Sequence, residues 1–359
     1  MPCETKTWLF LPLLLLVANC MQHSVHGKPE VPCLFIFGDS LSDNGNNNNL
    51  VTSTKSNYKP YGIDFPTGPT GRFTNGPTTV DIISQLLGFE NFIPPFANTS
   101  DSDILKGVNY ASAAAGIRVE SGTHMGADIS LAVQFANHIA IVSKIAAKLG
   151  GFHKAAKHLN KCLYYVNIGN NDYINNYFLP EIYPTSHFYT PERYAKVLID
   201  QLSLYLQGLQ DFGARKYVLV GMGLIGCTPN AISTRGTNGA CVEEENAAAI
   251  IFNNKLKSSV QKFNHKFSAD SKFIFINSTA GSLGNSLGFK VLNASCCKTG
   301  AHGLCIRDQI PCQNRNEYIF WDEFHPTKAA NIFTAFASYN ASNPAFTYPI
   351  DIKHLVQSF

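Results

Sequence analysis

The stretch "FIFGDSLSDNGNNNN", residues 35–49, runs from continuous apolar side chains into two aspartates, two serines and a row of asparagines. An apolar run without alternation, stopped by glycine, reads as a strand buried on both faces of a parallel sheet. The same signature recurs in "CLFIFG" (33–38), "GVNYAS" (107–112), "CLYYVNIG" (162–169), "KYVLVGM" (216–222) and "KFIFINS" (272–278). Helix-length segments lie between these runs. In residues 246–267, Phe252, Leu256, Val260, Phe263 and Phe267 recur on one helical face. Another helix is bracketed by Pro191 at its start and Gly213 at its end. Strands alternating with helices predict an α/β sandwich: a mostly parallel sheet with helices on both faces. In such sheets ligands bind beyond the carboxyl ends of the strands, so chemistry is sought there.

The chain has 359 residues, of which 45% are apolar, enough for a large core. No linker or repeat divides it, so residues 28–359 are expected to form one domain. Only 15% of residues are charged and the net charge is +3, without a basic stripe, which argues against nucleic acid as a partner. Residues 1–27 read as a secretory signal: Lys6 precedes "WLFLPLLLLVA" (8–18), too short and proline-broken to span a bilayer. Sequons at Asn98, Asn277, Asn293 and Asn340 agree with export.

Cys3 and Cys20 fall in the signal, leaving eight cysteines for an oxidising compartment. Cys227 and Cys241 bracket a loop rich in Gly and Asn and suit a local bridge. Cys296, Cys297, Cys305 and Cys312 crowd a second loop. Cys33 and Cys162 each open a strand-like run, where buried free thiols are the simple expectation. The cysteines lack the histidine spacing of a zinc site, so no metal or other cofactor is expected.

Ser40 follows the first strand by two residues. Ser40-Leu41-Ser42-Asp43 fits a capping box, so taken alone Ser40 reads as a helix cap. Gly116, after the second strand, supplies either a positive φ or a close backbone N–H. Asn171, after the third, is either a turn residue or an amide donor to a developing oxyanion. Near the end, "FWDEFHPTKAANIF" places Asp322 three residues before His325, with Pro326 suited to the first turn of a final helix. That spacing lets the carboxylate fix the imidazole tautomer and stabilise its charged form. Each feature is weak singly, but together they comprise a nucleophile, a base, its orienter and two donors.

Between about residues 33 and 352 the chain resembles the plant GDSL-type esterases/lipases of the SGNH hydrolase superfamily. The likeness rests on "FGDSLSDNGNNN", "NYASAAAGI", "IGNNDY" and "WDEFHPT", with "KPYGIDFPTGPTGRFTNG", "IGCTPN" and "CVEEENAAAIIFNNKL" between them. It implies a flavodoxin-like three-layer fold and hydrolysis of lipid-like or cell-wall esters in the apoplast or cell wall. It also implies Ser40 as nucleophile and oxyanion donor, His325 as base, Asp322 as orienter, and Gly116 and Asn171 as further donors. "RVESGTHMG" (118–126) and Glu323 depart from the pattern and bear on substrate preference.

Three rivals stand beside this reading. "GNSLG" (284–288) matches the G-x-S-x-G nucleophile elbow at Ser286, but no strand runs into it and no helix pattern follows. Acyl transfer to an alcohol uses the same acyl-enzyme. A secreted binding glycoprotein can keep the fold without turnover.

Overall fold

The computed structural model describes residues 28–282 and 288–358. Five strands form a parallel sheet: β1 (Leu34–Gly38), β2 (Gly107–Asn109), β3 (Leu163–Asn167), β4 (Lys216–Val220) and β5 (Lys272–Ile276). A smaller parallel pair, β6 (Val291–Ser295) and β7 (Tyr318–Phe320), stands apart, and β8 (Thr347–Tyr348) pairs antiparallel to β5. The main sheet runs β2-β1-β3-β4-β5-β8. Each of the five apolar runs in the sequence became a strand of this sheet. The strand order reverses at β1, so β2 and β3 flank it, and the crevice above its carboxyl end is where ligands bind in open sheets.

The strands are apolar throughout because both faces are covered. Phe35 and Phe37 join Tyr164, Val166, Tyr217, Leu219 and Phe273 in one core layer. Leu34 and Ile36 join Leu163, Tyr165, Val218 and Val220 in the other. Helices α1 (Thr79–Leu86) and α6 (Lys328–Tyr339) cover the second face. The first face is covered by α2 (Leu131–Leu149), α3 (Pro191–Asp211) and α5 (Glu243–Lys266); α4 (Pro229–Arg235) follows β4. In α5, Phe252, Leu256 and Val260 are buried as their spacing predicted, while Phe267 is the C-cap. Helix α3 begins as read: Pro191 occupies its first turn and Thr190 accepts the Arg193 N–H.

Two local expectations are corrected. Helix α6 begins after Pro326: Thr327 is its N-cap, and Pro326 instead bridges to Phe320. No helix starts at Ser40 either, because residues 39–43 close a tight turn in which the Ser42 and Asp43 N–H groups both donate to Asp39 O. The serine is therefore free of a capping role.

Disulfides staple the connections. Cys227–Cys241, Cys296–Cys312 and Cys297–Cys305 close short loops, and Cys33–Cys162 ties β1 to β3 at their amino ends. This last bond corrects the expectation of two free thiols. Adjacent parallel strands bring their first residues together, a proximity that residue spacing alone does not reveal. In the chain-entropy account a loop of about 15 residues contributes ~3 kcal/mol and one above a hundred residues nearly ~5 kcal/mol. His158 completes the only group of potential metal donors among the described residues, with Cys33 and Cys162. Both sulfurs there are bonded to each other and are not thiolate ligands.

Asn98, Asn293 and Asn340 are exposed, whereas the half-buried Asn277 donates to Ala345 O at 3.0 Å. No helix among the described residues is long and apolar enough to cross a membrane. The predicted signal, residues 1–27, and most of the "GNSLG" stretch, including Ser286, lie outside the described residues.

Candidate active site

At the carboxyl end of β1 the backbone of Gly38 passes so close to β3 that a Cβ there would sit 2.6 Å from Asn167 O. Only glycine fits. The fully buried Gln134 of α2 clamps the same residue, accepting the Gly38 N–H at 2.9 Å and donating to Gly38 O at 2.8 Å. The chain then turns through two buried aspartates. Asp39 accepts from the Leu41 N–H and from the Asn170 side chain, each at 3.0 Å. Asp43 accepts the N–H groups of Gly45 and Asn46, each at 2.8 Å, and of Ala113 at 3.1 Å. Ser40 is thus held between two fixed carboxyls. Burial raises Asp39 above its ordinary value, and it pushes Asp43 up to about 6 despite the three backbone donors.

His325 arrives from the other end of the sequence. Its Nε2 lies 2.8 Å from Ser40 Oγ, and its Nδ1 lies 2.8 Å from both Asp322 carboxylate oxygens. Asp322 also accepts the backbone N–H groups of Phe324 at 2.9 Å and His325 at 2.8 Å, which folds the three-residue spacing into a closed turn. The carboxylate is fully buried, and the imidazole leans on Phe73, with ring centroids 4.9 Å apart. A donor that the sequence reading did not single out completes the shell. Tyr61 Oη donates to Asp322 Oδ2 at 2.7 Å and accepts the Cys305 N–H at 3.1 Å. Burial and the adjacent Asp322 charge push this phenol well above its ordinary range, so it keeps the proton that it donates.

Asn171 faces the same cavity as Ser40. One N–H of its amide goes to Ala115 O at 3.0 Å and its oxygen accepts from Asn175, leaving the second N–H for a ligand. Gly116 is placed differently: it is not on the cavity wall, where Ala113 and Ala114 stand instead. Ala114 has φ 68°, a left-handed conformation uncommon outside glycine. Among the described residues neither its N–H nor that of Ser40 has an acceptor. Asp172 anchors the following loop, accepting the N–H groups of Ile117 and Arg118 at 2.8 and 2.9 Å and the Ser121 hydroxyl at 2.7 Å. A Cβ on Gly116 would lie 2.7 Å from Asp172 Oδ1, so glycine there lets the loop close on the carboxylate.

These groups open onto a cavity of about 660 Å³. The arrangement can perform serine acyl transfer: a hydroxyl in contact with an imidazole, a carboxylate behind that imidazole, and uncommitted N–H donors beside the hydroxyl. Ser40, Asn171, Asp322 and His325 converge as the sequence reading expected. Tyr61, Gln134, Asp172 and Ala114 were missed. Tyr61 sits inside "KPYGIDFP", but nothing local says that it reaches a residue 261 positions away.

The GDSL-like lipase/acylhydrolase family model matches residues 34–337. Three proteins of Arabidopsis thaliana, each named a GDSL esterase/lipase, are similar over nearly their whole length. One is 48% identical across 96% of this chain and 97% of its own, and a second 46% across 98% and 98%. A third is 47% identical across 96% and 97%. A crystal structure of phospholipase A1 from Streptomyces albidoflavus covers 84% of this chain and 95% of its own at 14% identity and a TM-score of 0.36, too distant a likeness to bear on function.

Proposed function

The chain belongs to the GDSL-like lipase/acylhydrolase family of carboxylic ester hydrolases, and from that premise we propose that it is a secreted serine esterase working through an acyl-enzyme on Ser40. The observation carrying this reading is the run of 2.8 Å contacts from Ser40 through His325 to Asp322, opening onto the cavity. Export is supported by the sequence of residues 1–27 and by the four disulfides.

Ser40 Oγ attacks the ester carbonyl while His325 Nε2 takes its proton. Asp322 holds Nδ1–H and stabilises the imidazolium that forms. The carbonyl oxygen, now an oxyanion, is met by the Ser40 N–H, the Ala114 N–H and the second N–H of Asn171. Such preset donors commonly lower the barrier by about 3–4 kcal/mol each. We assign the backbone donor to Ala114 rather than Gly116, whose part is to let the loop close against Asp172. Collapse expels the alcohol, which takes the proton from His325. Water activated by the same imidazole then releases the acid and restores Ser40.

Secreted protein should hydrolyse a chromogenic short-chain ester, and Ser40→Ala should abolish that turnover while leaving the fold unchanged by circular dichroism. Turnover surviving in the variant would refute the assignment. An intact wild type without turnover would favour a binding glycoprotein.

A further inference from the structure

The cavity does not end at Ser40. Beyond the reacting groups its wall includes Leu224 and Ile232 after β4, Leu292 on β6, Ile319 and Phe320 on β7, and Phe333 on α6, interspersed with the neutral polar side chains of Thr228, Asn293, Asn331 and Thr334. Among the described wall residues the titratable side chains are Asp39 and His325 of the site itself, His302, Tyr165, which is buried under the site, and Lys290, which is paired with Glu317. Thr228 and Thr334 spend their hydroxyls on Ile225 O and Ala330 O, and the Asn331 amide donates to Pro77 O, so a charged or sugar-bearing group entering this arm would meet more aliphatic and phenyl surface than free hydrogen-bonding partners. An apolar chain would lose water contact at small polar cost.

One wall residue has no structural reason for its identity. Gly223 is not left-handed, and a Cβ built on it meets no atom within 4 Å. Gly221, two residues earlier, is different: its Cβ would strike Asn253 Oδ1 at 2.7 Å and the Phe275 ring at 2.8 Å. Glycine at 221 is therefore demanded by packing, whereas at 223 the backbone and the neighbours would accept a side chain. What the missing side chain leaves is open space on the cavity wall.

Resting on the esterase reading above, we propose that this arm holds an unbranched apolar chain of the ester, longer than acetyl, and that Gly223 keeps the arm open and so sets the chain length accepted. An acyl chain and an alkoxy chain share this chemistry, and two substrate series separate them. The first is p-nitrophenyl esters from acetate to laurate; the second is alkyl acetates over the same lengths.

In one series kcat/KM of the wild type should climb with length, by up to about fourfold per added methylene until the arm is full. Gly223→Phe should cut the longer members of that series by about tenfold or more and its shortest members far less. Gly223→Ala, which introduces no contact, and Ile232→Phe, which narrows the arm from α4, should give graded shifts toward shorter chains. A flat length profile in both series, or profiles that these variants leave unmoved, would overturn the proposal. Failure of the esterase reading looks different: no ester of any length would then be turned over, or turnover would survive Ser40→Ala.

Discussion

Tyr61 Oη donates to Asp322 Oδ2 at 2.7 Å while itself accepting the Cys305 N–H at 3.1 Å. The carboxylate behind His325 is thereby tied to the loop closed by Cys297–Cys305. Tyr61 touches no reacting atom and is a positioning residue. Its ring packs edge-on against Tyr58 and Phe73, so removing the hydroxyl leaves the ring contacts in place.

Tyr61→Phe should therefore reduce kcat by about tenfold with KM little changed, and destabilise the fold by about 1–3 kcal/mol because the Cys305 N–H loses its buried acceptor. With one donor fewer, the Asp322 carboxylate holds the imidazolium more tightly, so the acid limb of kcat/KM should move to higher pH. A merely structural tyrosine would lower stability and leave that limb in place.

Ala114 offers a test of opposite sign. Its φ of 68° is costly for an L-residue with a side chain. Ala114→Gly should raise stability in urea unfolding by about 1 kcal/mol and leave turnover nearly unchanged, because the N–H stays where it is. Ala114→Val should lower both. Loss of activity without loss of stability in the glycine variant would show that Ala114 acts through its methyl group.

The strands and their order of use were legible because a strand buried on both faces leaves an unbroken apolar run, and "FIFG" and "YYVN" are such runs. Ser40, Asp322 and His325 stood out as a set at strand ends and in a three-residue spacing, while their roles came from the resemblance of the blocks around them, since each alone reads as a cap or a turn. Most of what was missed shares one trait: the partners are far apart in sequence. Tyr61 meets Asp322, Gln134 meets Gly38, and Cys33 meets Cys162, all through tertiary contacts that no local spacing encodes. Gly116 drew attention because glycine advertises positive φ, while the left-handed residue lies two positions earlier at Ala114, whose side chain hides it.

Asn171→Ala should lower kcat by about 10²–10³ while KM stays close to the wild-type value, since the second N–H is engaged most when the oxyanion forms. Steady-state kinetics on one ester decides it. A change confined to KM would make Asn171 a ground-state binding residue.

Asp43 gives a pH-dependent stability. Its carboxyl is ordinarily near 3.8 and burial lifts it to about 6 in the folded chain, so the folded state binds the proton more tightly than the unfolded one. The stabilising contribution is fully present below about 3.8 and fades as pH rises through about 6. Asp43→Asn does not titrate. The stability of the wild type relative to this variant should fall by about 2 kcal/mol between pH 4 and pH 7 in denaturant titrations. A difference that grows with pH would mean that the three backbone N–H donors outweigh burial.

The central claim is that Ser40, and not Ser286 in the elbow-like "GNSLG", is the attacking group. A fluorophosphonate reacts with a serine only where a base and oxyanion donors activate it. Ser40 has His325 at 2.8 Å and uncommitted N–H groups beside it. Labelling the secreted protein and mapping the adduct by mass spectrometry should place it on the peptide containing "FGDSLSDNG". Labelling should vanish in Ser40→Ala, with turnover down by up to about 10⁶, and persist in Ser286→Ala. An adduct on Ser286, or undiminished labelling of Ser40→Ala, would contradict the account.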